Sequence, residues 1–295
     1  MTSRELYDFC LSIGFPREAS AFLADANEKL ISLPAASELI EGSIAEYAAG
    51  KDFSFSLRTE RLAELSPTVD VHPYTSDMLF YLQLSPVLKE KYAEKGLPDE
   101  MFDGAMRDLL CKLYECREVF GIWGSFVAIW FARFFHFSLY TLGRLEFCLT
   151  NAPFDYEKDG LRIEKGQPCI DVHIPSCGKL VRGELEDSYR AAADFFAPRL
   201  GTSPAFHCHS WLLFPWHREV LPTDSGIRRF AEDYDAVRPA EDEGDLWRIF
   251  GSADTEKPET LPEDTLLRRL YKARLIEGKE IGGGEGMFFL AHFKR

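Results

Sequence analysis

Four short stretches concentrate the side chains that could carry chemistry. In IDVHIP, alternation puts Asp171 and His173 on one face of a strand and Ile170, Val172 and Ile174 on the other. A histidine at the end of such a strand can take a proton from a nucleophile near neutral pH, because its ordinary pKa is ~6.5. The bland alternative is a hydrogen bond that only secures the sheet. In GRLEFCL, Glu146 shares a face with Arg144 and Cys148. That carboxylate could relay a proton through water, or it could pair with Arg144 on a solvated face and add little. In HCHSW, His207, His209 and Trp211 fall on one face. Two histidines at i, i+2 can ligate zinc, with His173 or His217 as a third ligand. No HExxH motif and no nearby carboxylate accompany them. The three residues are therefore read as the wall of a substrate pocket, with no metal. In PSCGKLVRG, Gly178, Gly183, Lys179 and Arg182 stand where a strand turns into a helix, a place that can grip a phosphate. Cys177 in this turn could be a reactive thiol, but no partner base can be assigned to it.

These residues need elements to hold them, and the chain changes grammar part-way. Up to about Phe137 it reads as helices. Thr2 with Glu5 forms a capping-box pattern, Pro16 suits a first turn, and AASELIEGSIAEYAAG keeps helical spacing until Gly50. Pro86 should kink or split the helix that contains it. Beyond Phe137 the spacing becomes that of short strands and intervening helices, in the order β-β-β-α-β-α-β-α-β. DLWRIFG reads as a strand in that order, and IGGGEG as a glycine hairpin leading into the last strand. The expected domains are 1–137, helical, and 138–295, α/β.

Composition narrows the partners. The chain has 295 residues, 46% hydrophobic and 14% aromatic, so it can bury a substantial core. A formal net charge of −14 argues against nucleic acid and anionic membrane as partners and leaves basic or neutral small molecules. The apolar run Val119–Gly143 contains Arg133 and His136, which argues for a buried helix over a membrane span. Seven cysteines without a CxxC pair, and a start without signal-peptide features, suggest a cytoplasmic protein with reduced thiols.

The stretches LYTLGRLEFCL, IDVHIPSCGKL, SYRAAADFF, FHCHSWLLFP and GIRRFAEDY resemble bacterial acyltransferase-domain proteins, in which a helical N-terminal domain precedes a GNAT-like C-terminal domain. The resemblance implies an α/β (α+β) fold, a GNAT-like mixed sheet flanked by helices behind a helical domain. It implies an N-acyltransferase that moves an acyl group from acyl-CoA, for example acetyl-CoA, to a small-molecule or peptide amine. By that likeness Ile174, Ser176, Cys177, Gly178, Lys179, Arg182 and Gly183 would hold CoA, with His173 or Glu146 as base and Tyr234 as acid. The R/Q-x-x-G-x-G/A spacing of GNAT phosphate loops is absent from the stretch. Two other readings stay open: a non-catalytic GNAT-fold binding or regulatory protein, and a histidine-based metal hydrolase. The helical domain could complete an acceptor pocket or form a homodimer.

Overall fold

The computed structural model describes residues 1–235, 237–240 and 246–292. It divides into two compact units, Met1–Ser138 and Leu139–Arg295.

The first unit contains α1 (Ser3–Ser12), α2 (Arg17–Ser32), α3 (Pro34–Ala48), α4 (Phe55–Leu65), α5 (Pro73–Glu94), α6 (Asp99–Phe120) and α7 (Ala132–Phe135). Both hydrogen bonds of the Thr2–Glu5 capping box form. Pro16 occupies the N-cap of α2, one place earlier than expected. Contrary to expectation, α5 runs unbroken through Pro86. Leu79 to Ser85 are all buried, so packing on every side holds the helix where propensity would end it. The apolar run after Val119 does not form one long helix. Its Phe131 and Phe135 enter an aromatic cluster with Tyr47, Phe55 and Tyr81, with ring centroids 5.3–6.0 Å apart. Among the described residues no helix is long and apolar enough to cross a membrane.

The second unit is built on a six-stranded mixed sheet. Its strands are β1 (Tyr140–Leu142), β2 (Leu145–Asn151), β5 (Pro168–His173), β6 (Ala205–Ser210), β7 (Arg238–Ala240) and β8 (Gly283–Phe289), in the order β1-β2-β5-β6-β8-β7. A separate hairpin is formed by β3 (Tyr156–Lys158) and β4 (Leu161–Ile163). Among the described strands only β5 and β6 pair in parallel. A parallel pair needs a crossover, here α8 (Arg182–Leu200). The remaining helices are α9 (His217–Val220), α10 (Gly226–Glu232), α11 (Leu246–Phe250) and α12 (Leu266–Ile276).

The two faces of the sheet differ. Leu145, Phe147, Ile170, Val172, Phe206, Cys208 and Phe288 pack with Leu185, Tyr189, Ala192 and Phe196 of α8 and with Phe230 of α10. On the other face, Cys169, Ala205, Met287 and Phe289 lie under Tyr156 and Ile163 of the β3–β4 hairpin. Further along that second face the inward positions become polar.

Two expectations change. Within DLWRIFG, Leu246–Phe250 form a helical turn, Asp245 lying outside the described residues: Ile249 and Phe250 are buried with Leu261 and with Tyr271 of α12. The IGGGEG run is no loose hairpin, because Gly283 to Gly286 belong to β8 itself. A side chain at Gly284 would sit 2.2 Å from the Leu213 carbonyl, and one at Gly286 would meet Tyr234 at 2.8 Å. Glycine is required there by close approach of neighbouring chain.

His217, fully buried on α9, ties two of these elements together. Its Nε2 lies 2.8 Å from the Tyr271 hydroxyl and its Nδ1 3.3 Å from the Leu212 carbonyl. Burial pushes its pKa down to about 4. The unfolded chain therefore binds this proton at higher pH than the native one. The contribution is complete above the ordinary pKa of ~6.5 and is lost as pH falls from there towards about 4. Denaturant melts at pH 7.5 and 4.5 should show the wild type losing about 2–3 kcal/mol more than His217→Gln does. Equal losses in the two proteins would remove His217 from the acid sensitivity.

Candidate active site

The site grows from one break in the sheet. The β5–β6 ladder consists of Ile170↔Phe206 and Asp171↔His207. Past these pairs β5 continues to His173 along β2, and β6 continues to Ser210 along β8. The two parallel strands thus run on towards their C-terminal ends without further pairing to each other. A cleft at the carboxyl ends of parallel strands is the usual ligand position in open α/β sheets.

Antiparallel register sets the polar side chains beside this cleft. Glu146 lies opposite His173, and Cys148 opposite Asp171. His207 lies beside Asp171, and His209 opposite Glu285. Alternation then puts all of them on one face. His173 Nε2 is 3.2 Å from Asp171 Oδ2, and Asp171 Oδ1 is 2.8 Å from His207 Nδ1. His207 Nε2 is 3.2 Å from Glu285 Oε1. A continuous chain of titratable groups therefore spans three strands, Glu285–His207–Asp171–His173. Cys148 Sγ adds a contact of 3.6 Å to the same Nε2 of His173.

The charges in this chain compensate each other. Burial disfavours the Asp171 carboxylate, yet hydrogen bonds from His173 and His207 and their charge hold it below the usual carboxylate range. Burial likewise favours a neutral His207, yet Asp171 and Glu285 raise its pKa above the ordinary value. His207 is thus a buried partner of Asp171, 10% exposed, not a pocket wall. His173 keeps 23% exposure. His209 is exposed at the end of β6. Glu146 is buried, 2% exposed, so the solvated-face reading of it fails.

Two expected site residues lie elsewhere. Tyr234 follows α10 and is 1% exposed in the core on the Cys208 face, in ring contact with Phe230 and Phe288. The sheet itself separates it from His173, and burial lifts its pKa well above the usual range. Trp211 does not extend the His207 face, because β6 ends at Ser210 and Trp211 opens a 3-10 turn. It packs against two of the apolar clusters of the second unit and edge-on to His217, 5.8 Å between ring centres.

The loop after His173 is held from an unforeseen direction. Arg144 donates to the carbonyls of Pro175, Gly178 and Lys179 at 2.9, 3.2 and 3.4 Å. It can do so because Gly143, at φ +71°, lets the β1–β2 turn lie against α8. A side chain at Gly143 would strike Ser188 Oγ at 2.6 Å, and that hydroxyl accepts the Arg144 N–H at 2.8 Å. Ile174 packs partly against the core, while Ser176, Gly178, Lys179 and Gly183 are exposed. Gly178 has φ +82°, and neither it nor Gly183 has any atom within 4 Å of a would-be side chain. The N-cap of α8, Val181, makes no side-chain cap. Backbone N–H groups at a helix start with open glycines beside them suit an anion. Two expected contributors are engaged otherwise. Arg182 pairs with Asp233 and Glu186. Cys177 is disulfide-bonded, which contradicts the reduced-thiol expectation and removes it as a nucleophile.

Comparison with known proteins places this architecture. Residues 139–288 match the family model of the GNAT-like C-terminal domain, and residues 4–137 that of the N-acyltransferase N-terminal domain. The chain belongs to this family of two-domain GNAT-like acyltransferases. Solved structures share the fold over nearly the whole length. An acyltransferase in complex with decanoyl-CoA and teicoplanin superposes with a TM-score of 0.63 at 21% identity, covering 98% of this chain and 100% of that one. An acyltransferase in complex with decanoyl-CoA gives 0.64 at 19% identity, covering 98% and 99%. No curated protein matches the chain in sequence.

Within this GNAT-like domain Arg144 was hidden from the sequence, because its partners are carbonyls some thirty residues on, set by the turn at Gly143. Replacing Arg144 by Ala should free the loop while sparing the sheet. Hydrogen exchange of the Ser176–Leu180 amides should speed up by roughly tenfold or more, about 1.4 kcal/mol of local protection, with the β2 and β5 amides unchanged. Uniform loss of protection through the unit would show that Arg144 supports the fold and not the loop.

Proposed function

We propose that the protein is an acyl-CoA-dependent N-acyltransferase with His173 as the base that takes the proton of the acceptor amine. The observation that carries this is the Asp171–His173 pair at the mouth of the split between β5 and β6. An Nε2–H donated to Asp171 places the ring's lone pair on Nδ1. Asp171 then orients the imidazole, as His207 and Glu285 in turn hold Asp171. The amine nitrogen would attack the thioester carbonyl, the carbon–sulfur bond would break with CoA leaving as its thiolate, and His173 would keep the amine's proton. Backbone N–H groups of β5 beyond its last pair with β6 would receive the developing oxyanion. The residues present fit the CoA pyrophosphate: the uncapped start of α8, with Gly178, Lys179 and Gly183, would hold it. Glu146, across the ladder from His173, is a second candidate for proton transfer. That structures of this fold hold CoA with teicoplanin, or acyl-CoA alone, supports an acyl-CoA donor and an amine on a peptide-like scaffold as acceptor.

The experiment joins binding to turnover. Calorimetric titration with CoA tests the loop, and free-thiol release from a series of acyl-CoAs with an amine panel tests transfer. His173→Gln should lower kcat by ~10²-fold or more with CoA affinity retained. Gly183→Ala should leave stability equal or up to about 1 kcal/mol higher, since Gly is costly in a helix, yet weaken CoA by at least tenfold. A protein that binds no CoA would leave the non-catalytic reading in its place.

A further inference from the structure

Beside the proton chain, the polar face of the sheet carries a second arrangement. Asp171 Oδ2 lies 3.2 Å from His173 Nε2, Cys148 Sγ lies 3.6 Å from that same nitrogen, and Sγ and Oδ2 are 3.9 Å apart. All three ligand atoms fall within 4.8 Å of one another. A relay uses the two nitrogens of an imidazole towards different partners, whereas here thiol and carboxylate converge on one. That is the shape of a coordination face. Tetrahedral zinc, with Zn–S about 2.3 Å and Zn–N and Zn–O about 2.0–2.2 Å, requires edges of about 3.4 Å between N and O and about 3.6 Å from S to either. The observed triangle differs from this by a few tenths of an ångström.

The frame around it is rigid in the sense that matters for a metal. Cys148 and Asp171 are direct partners in the β2–β5 ladder, and His173 is two places along the same face. His207 holds Asp171 by Oδ1, so Oδ2 is turned towards the other two ligands. Such an outer partner is what orients a ligating carboxylate. Cys148 is buried, while Asp171 and His173 retain 18% and 23% exposure, which leaves an approach for an ion. Thiolate, imidazole and carboxylate together select zinc-class ions over magnesium or calcium.

We propose that Cys148, Asp171 and His173 bind one zinc-class divalent ion, and that this ion inhibits acyl transfer. The Cys148 thiol releases its proton to solvent on binding, and the metal takes the lone pair of His173 Nε2. The ring proton then sits on Nδ1, the nitrogen that would accept the proton of the amine. One imidazole cannot serve both. The inhibition rests on the reading of His173 as base, and the binding does not.

The test uses the full chain purified without a histidine tag and titrated with cobalt(II). A thiolate-to-cobalt charge-transfer band that saturates at one ion per chain and is displaced by zinc is expected. The band should vanish in Cys148→Ser and survive in His209→Gln. If Cys148→Ser does not fold, His173→Gln replaces it, with a loss of cobalt affinity of at least tenfold. Absence of the band in wild type, or its persistence in Cys148→Ser, overturns the site. Zinc at saturation should abolish turnover, and a chelator should restore it. A band of the expected behaviour with turnover untouched by zinc overturns the inhibition, and with it the assignment of His173 as base, while the metal site stands.

Discussion

The short parallel ladder between β5 and β6 governs the second unit. The strands share the pairs Ile170↔Phe206 and Asp171↔His207 and then continue without pairing to each other, each supported by its antiparallel neighbour. Backbone groups that would otherwise pair across the sheet are left at the cleft, and unsatisfied backbone is tolerated only where water or a ligand can meet it. The last register pair before the split is Asp171 with His207, so the charged chain begins where the ladder stops. Moving that end by one residue would exchange Asp171 for Ile170 or Val172 at the cleft, since neighbouring side chains point to opposite faces.

Burying that chain of charges is feasible because signs alternate along it. Glu285, His207 and Asp171 come from three adjacent strands, and each contact joins a carboxylate to an imidazole. An isolated buried charge is costly, whereas a hydrogen-bonded pair recovers much of the loss. The formal charge of −14 belongs to the chain as a whole and says little about this interior. Its consequence at the surface is repulsion of other anions, so an anionic donor must be drawn by local features. In the proposed reading, Lys179 and the uncapped start of α8 would supply those features.

The sequence made the alternation visible but not the register. Asp171 and His173 could be placed on one face from IDVHIP alone, and the helical and α/β halves followed from spacing. Which strand lies beside which is a tertiary fact. Nothing in HCHSW shows that His207 meets Asp171, or that the glutamate in a glycine run reaches it from β8. The glycines misled for a related reason. The run reads as a hairpin, whereas Gly284 and Gly286 answer to Leu213 and Tyr234 pressing on β8. DLWRIFG has the composition of a strand, but α12 and its neighbours bury Ile249 and Phe250 as a helical turn. Tyr234 likewise depends on tertiary packing: it lies in the core on the Cys208 face of the sheet.

Arg144 and Arg182 exchange the roles that charge alone would assign. Arg182 opens the helix nearest the anion site, yet its guanidinium is neutralised by Asp233 and Glu186, and it links α8 to the segment after α10. Arg144 lies on a different strand turn, yet it gathers the carbonyls of the loop. A cation that collects carbonyl oxygens draws them to its own side. Peptide N–H groups oppose their carbonyls, so the same act favours presentation of the amides on the other side of the loop. By this route an arginine remote in sequence can shape an anion-binding loop that lacks the expected glycine spacing, without itself contributing charge to the anion. The missing spacing of the phosphate motif then goes with a different bracing of the loop, by Arg144 on its carbonyls.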